Sequence, residues 1–111
     1  MTASKQRGTA AETAVVRYLN ANGFPHAERR ALAGVNDKGD ISGLPGVVIE
    51  VKSCKRIELA AWVDELGVEM RNAGAYIGAV VAKRRGTTDV GEWYAVLPVA
   101  VLVELLRDGD V

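Results

Sequence analysis

Three consecutive segments between residues 46 and 82 leave this chain few folds to choose from. In Gly46-Val47-Val48-Ile49-Glu50-Val51-Lys52, Val47, Ile49 and Val51 fall on one face of a strand and Val48, Glu50 and Lys52 on the other. Residues 57–73 carry Leu59, Trp62, Val63, Leu66 and Met70 at spacings of three and four, the pattern of an amphipathic helix, which Asn72-Ala73-Gly74 ends. Ala75-Tyr76-Ile77-Gly78-Ala79-Val80-Val81-Ala82 is an unbroken apolar run and reads as a central buried strand. A strand–helix–strand crossover implies parallel pairing, with the helix lying on the sheet between them.

The remaining elements extend that unit. Thr9-Ala10-Ala11-Glu12 has the form of a capping box opening a helix over 9–22, with Ala11, Ala14, Val15, Tyr18 and Leu19 as its apolar stripe. Asn22-Gly23 stops it. Residues 25–31 look extended, and 33–39 form a loop rich in turn residues. A strand over 40–43 joins the strand over 46–52 through a turn near Pro45. After a polar loop at 83–89, residues 92–97 make another strand, and Val99, Leu102, Val103, Leu105 and Leu106 belong to a closing helix. The order αβββαββα predicts an α/β fold, a mixed central sheet flanked by helices. The 111 residues suffice for one domain, 1–111, with one modest core. No apolar run approaches the ~20 residues of a membrane span. The N-terminus lacks the apolar core of a secretory signal, and a single cysteine, Cys54, has no disulfide partner, so a cytoplasmic setting is expected.

The turn near Pro45 places Asp40 across from Glu50. Facing carboxylates repel, and a divalent cation between them removes the conflict. Oxygen-only ligands suit Mg²⁺, with Mn²⁺ as a substitute. Lys52 shares the face of Glu50 and offers a positive charge where a phosphate would sit, to orient a water or stabilise transition-state charge. Together these residues point to metal-dependent cleavage of a phosphodiester. The plainer alternative is a hairpin with surface charges, Lys52 pairing with Glu50. Glu12 has two readings, a cap of its own helix or a carboxylate turned to the metal.

Lysines and arginines balance aspartates and glutamates, 14 against 14, which excludes the bulk basicity of an architectural nucleic-acid binder. The cations are nevertheless clustered: Lys5 and Arg7; Arg29 and Arg30; Lys52, Lys55 and Arg56; Lys83, Arg84 and Arg85. Arg29, Arg30, Lys55, Arg56, Arg84 and Arg85 are candidate phosphate contacts to DNA, and Ser53 either bonds a phosphate or fills a strand end. The acids lie mostly on the second helix (Glu58, Asp64, Glu65, Glu69) and in the tail (Asp108, Asp110). His26 and Cys54 have no partner pattern for catalysis, Trp62 belongs to the core stripe, and Trp93 is free to pack or to stack on a base.

With these residues in this order, the chain resembles the PD-(D/E)XK nuclease superfamily, with its restriction-endonuclease-like core. The superfamily pattern, an acid at one strand start and acid-x-Lys on the next, is met by Asp40, Glu50 and Lys52, with Gly39 where a proline commonly precedes the first acid. Gly8-Thr9-Ala10-Ala11-Glu12, Gly23-Phe24 and the following Arg29-Arg30 are most similar to the archaeal and phage-type Holliday junction resolvases. The resemblance spans residues 7 to 97. It implies catalytic Asp40, Glu50, Lys52 and Glu12, and a metal held by Asp40, Glu50, Glu12 and the Val51 carbonyl. It also implies a four-way DNA junction as substrate and a homodimer, because two symmetric cuts need two sites. Nucleases of the same core acting on flaps, single strands or damaged duplex, and a non-catalytic DNA-binding module, are the alternatives.

Overall fold

The structure, a computed structural model, describes residues 3–30 and 36–108. Its elements run α1 (Ala3–Ala21), β1 (Glu28–Arg29), β2 (Ile41–Ser42), β3 (Val47–Lys52), α2 (Leu59–Ala73), β4 (Ile77–Ala82), β5 (Tyr94–Val96) and α3 (Val99–Asp108). This is an α/β fold in the expected order. The expected loop at 33–39 and the acidic tail fall partly outside the described residues, at 33–35 and at Asp110.

The central crossover forms as the sequence dictates. β3 and β4 are parallel, with Glu50 beside Val80 and Lys52 beside Ala82, and β5 adds antiparallel to β4, giving the order β3-β4-β5. Alternation splits the core between the two faces of this sheet. On one face Val51 packs with Ala11 and Val15 of α1, and with Ala27 and Ile41. On the other, Val48, Val80 and Ala82 pack with Trp62 and Leu66 of α2. Gly78 lets α2 approach: a Cβ there would lie 2.7 Å from Met70 Sδ. Gly74, at φ 63°, closes α2 in the left-handed conformation, and Ala75 N–H donates to Met70 O at 2.9 Å.

Two expectations are corrected. α1 begins at Ala3, six residues before Thr9, because Lys5, Gln6 and Arg7 are strong helix formers that carry the helix through Gly8. Thr9 therefore lies inside the helix and caps nothing, and Glu12 is released from the capping box. Secondly, residues 40–52 are not a simple hairpin. β2 pairs antiparallel with β1, Glu28 beside Ser42 and Arg29 beside Ile41, in a separate two-stranded sheet. Ile41 is fully buried among the α1-side core residues, and that burial draws β2 toward β1 and α1. Gly39 and Asp40 lie against the edge of β3.

α3 is more exposed than its composition suggests. Val101 is buried, while Val99, Leu102, Val103, Leu105 and Leu106 all show substantial apolar surface. No helix among the described residues is long and apolar enough to cross a membrane.

Candidate metal and phosphate site

Asp40 links the two sheets. Its N–H donates to Ile49 O at 2.8 Å, its carbonyl accepts from Arg30 N–H at 2.8 Å, and its Oδ2 accepts from Val51 N–H at 2.7 Å. The side chain thus takes the place of a neighbouring strand at the edge of β3 and satisfies a donor that would otherwise be orphaned. Gly39 makes this possible. Its φ is +96°, and a Cβ would stand 2.8 Å from Ile49 O and 2.9 Å from Val48 Cγ1, so the chain can lie against β3 at this point only without a side chain.

Glu50 and Lys52 both face α2, as their alternation requires. Two residues along a strand span about 6.6 Å, and four along a helix about 6 Å, so a strand pair can match a helix pair one turn apart. Here Lys52 Nζ donates to Glu65 Oε2 at 3.0 Å, and one turn further along α2 Glu69 stands beside Glu50. Lys52 is therefore paired across the sheet–helix interface rather than with Glu50 alone. Burial works to lower its pKa, but the hydrogen bond to Glu65 and the charges of Glu65 and Glu50 outweigh it and raise it.

The acids around Glu50 carry the unusual electrostatics. Glu50 is 5% exposed and Glu69 1% exposed. Glu50 Oε2 and both carboxylate oxygens of Glu69 have no hydrogen-bond partner. Ligand oxygens of Asp37, Glu50 and Glu69 all lie within 4.8 Å of one another, and Asp40 also interacts with Glu50. Burial, reinforced by the neighbouring Glu69 and Asp40, pushes the Glu50 carboxyl far above its ordinary range. Burial raises Glu69 as well. Buried, unpartnered carboxylates are costly as anions, and this set, with oxygen atoms only, fits a hard divalent cation. The sequence groups Glu69 with the other acids of the second helix and gives it no role at the site. Its signal was its place three residues after Leu66 and seven after Trp62, inside the apolar stripe.

Glu12 does not belong to this trio. Its Oε1 accepts from Arg29 Nε at 3.0 Å. Burial raises its pKa, the Arg29 hydrogen bond opposes that shift, and the charge of Asp40 adds to it. The described carboxylates that come together are thus Asp37, Glu50 and Glu69, with Asp40 beside Glu50 and Glu12 within the field of Asp40. Val51, whose carbonyl the resemblance makes a ligand, is buried and gives its N–H to Asp40.

The candidate DNA contacts divide into two sets. Arg29 is engaged by Glu12, and Arg30 is half-buried, its Nη2 3.5 Å from Ile41 O. Ser53, Lys55 and Arg85 line one cavity together with Arg7, Cys54 and Lys83. Arg84 lies 5.9 Å from the Tyr94 ring centroid, and Arg56 is exposed. Trp62 is core; Trp93 packs on the α1-side core and its Nε1 donates to Thr87 O at 3.0 Å, so its ring is held by the protein. His26 and Cys54 are exposed. No protein-family model, curated protein or solved structure matches the chain.

Proposed function

We propose that this chain is a metal-dependent DNA endonuclease with a restriction-endonuclease-like core of the PD-(D/E)XK kind, and that a four-way junction is its favoured substrate. The observation that carries the reading is the pair of buried, unpartnered carboxylates Glu50 and Glu69, with Lys52 two residues along the same strand and a basic cavity beginning at Ser53.

Glu50, Glu69 and Asp37, with Asp40 beside them, would hold Mg²⁺ or Mn²⁺. When bound, that ion supplies Lewis acidity to the phosphate and lowers the pKa of water. The chain's own residues do the rest. Asp40, anchored through Val51 N–H and Ile49 O, holds the start of β2 against the edge of β3. Glu65 holds the Lys52 ammonium in place. There the ammonium would orient the attacking water and offset the charge that builds on the phosphate oxygens as the water oxygen bonds to phosphorus and the ester P–O bond opposite it breaks, the attacking water losing a proton to solvent and the leaving oxygen taking one up. Glu12 and Arg29 hold each other in an ion pair, and Arg29 is a candidate contact for a flanking phosphate.

Symmetric resolution of a junction needs two such sites, so the reading carries a C2 homodimer with it. The test is cleavage of a four-way junction, a flap, a plain duplex and a single strand. Each is run with Mg²⁺, with Mn²⁺, with EDTA, and with Lys52→Ala. Paired symmetric cuts in the junction alone, lost in EDTA and in the variant, are the expected result. Cuts in the other DNAs would keep the nuclease and discard the junction, and binding without any cleavage would leave a DNA-binding module.

A further inference from the structure

The parallel strands β3 and β4 end side by side, with Lys83 N–H donating to Lys52 O at 2.9 Å. Their loops then separate, and a cavity of about 230 Å³ opens between them. Crevices at the carboxyl ends of parallel strands are recurrent ligand positions. This one is lined by Arg7 from α1, Ser53, Cys54 and Lys55 after β3, and Lys83 and Arg85 after β4. Four of the six residues are cationic and none is acidic, in a chain whose charges balance. Among the described residues Lys55, Lys83 and Arg85 form no ion pair; Lys83 lies 6.0 Å from the Trp93 ring centroid. Cations brought together from three elements repel unless an anion lies among them. The donor set, guanidinium and ammonium groups with a hydroxyl, suits a phosphate.

The cavity adjoins the acidic cluster along the chain, since Ser53 and Cys54 directly follow Lys52, and Cys54 is within electrostatic reach of that lysine. We propose that the cavity seats a phosphate of the nucleic-acid strand that enters the acidic site, adjacent to the phosphate presented to Lys52, with Lys55 and Arg85 as its main contacts. The assignment of the phosphate to a strand rests on the nuclease reading; the phosphate chemistry of the cavity does not.

The test is done in EDTA, so that binding is read without cleavage. Duplex DNA is titrated at several salt concentrations against the wild type, against Lys55→Ala/Arg85→Ala, and against Arg17→Ala/Arg107→Ala as a charge-matched control. In parallel, protection by inorganic pyrophosphate is read from thermal unfolding. The expected result is a loss of about tenfold or more in affinity for the cavity variant. The dependence of log K on log salt should fall by about 1, and pyrophosphate protection should disappear, with the control unchanged in all three. A cavity variant that matches the control in salt slope and keeps its pyrophosphate protection would overturn the proposal. A wild type that binds no DNA but is protected by pyrophosphate through Lys55 and Arg85 would remove the nuclease reading and the strand together, and leave a site for a free phosphate.

Discussion

Glu69, on the buried face of α2, stands opposite Glu50 of β3, and the two carboxylates are enclosed with no cationic side chain between them. The geometry follows from the crossover. α2 runs back along β3, so that Lys52 meets Glu65 and Glu50 meets Glu69 one helical turn later. A buried anion pair is destabilising unless a proton or a metal ion enters it. Replacing one member should therefore separate stability from cation binding. Glu69→Gln should stabilise the metal-free protein by about 1–3 kcal/mol, in line with the cost of an uncompensated buried polar group. It should also weaken Mg²⁺ binding at least tenfold. Urea unfolding in EDTA and unfolding in a Mg²⁺ series measure the two effects; a variant less stable in EDTA than the wild type would contradict the account.

The same pair sets the pH dependence. Glu50 and Glu69 have folded-state pKa values raised above the ordinary 4.5, so between that value and the raised ones the native state binds protons that the unfolded chain has released. Stability is then lost as pH rises. In EDTA the melting temperature should fall from pH 5 to pH 8. Protons and metal ions compete for the same oxygens, so added Mg²⁺ should raise the melting temperature more at pH 8 than at pH 5. Calorimetry at the two pH values reads both effects, and a metal-free protein that gains stability toward pH 8 would refute the protonated pair.

Lys52 and Glu65 form an ion pair, at 3.0 Å, whose members should have unequal importance. If the proposed nuclease reading holds, Lys52→Ala should lower the rate of DNA cleavage by about 10²–10³-fold, the scale of losing one charge-stabilising donor. Glu65→Gln should cost less than about tenfold, because Glu65 orients the lysine and is itself 45% exposed at its side chain. Single-turnover cleavage rates separate the two; equal losses would make the pair a structural unit rather than a catalytic lysine and its support.

Gly39→Ala tests the approach of Asp40 to β3. The added Cβ meets backbone at 2.8 Å, at a φ of +96° that L side chains rarely adopt. Strain of about 1–3 kcal/mol is expected, together with weaker Mg²⁺ binding because Asp40 is displaced from Glu50. An Ala variant of unchanged melting temperature would show that the loop has another conformation available.

The β3–α2–β4 unit was legible in the sequence because alternation and helical spacing are local properties. Val48, Glu50 and Lys52 on one face, Trp62 and Leu66 on the facing stripe, and the buried run at 77–82 all follow from periods of two and 3.6 residues. The closeness of Asp40 and Glu50 was legible for a similar reason, since ten residues containing a turn bring their ends together. The start of α1 was not, because Thr9-Ala10-Ala11-Glu12 carries a capping signature that helix formers upstream override. Nor was the pairing of β2 with β1, which depends on Ile41 finding its burial against α1. Glu69 lies at the far limit of what sequence determines. Its spacing of three from Leu66 and seven from Trp62 is local, but only the packing of α2 on β3 brings it to Glu50. The basic cavity likewise needed tertiary structure, since Arg7, Lys55 and Arg85 come from three separate elements. Local periodicity determines which face a side chain occupies; which two faces meet is decided by the burial of apolar area across the whole domain.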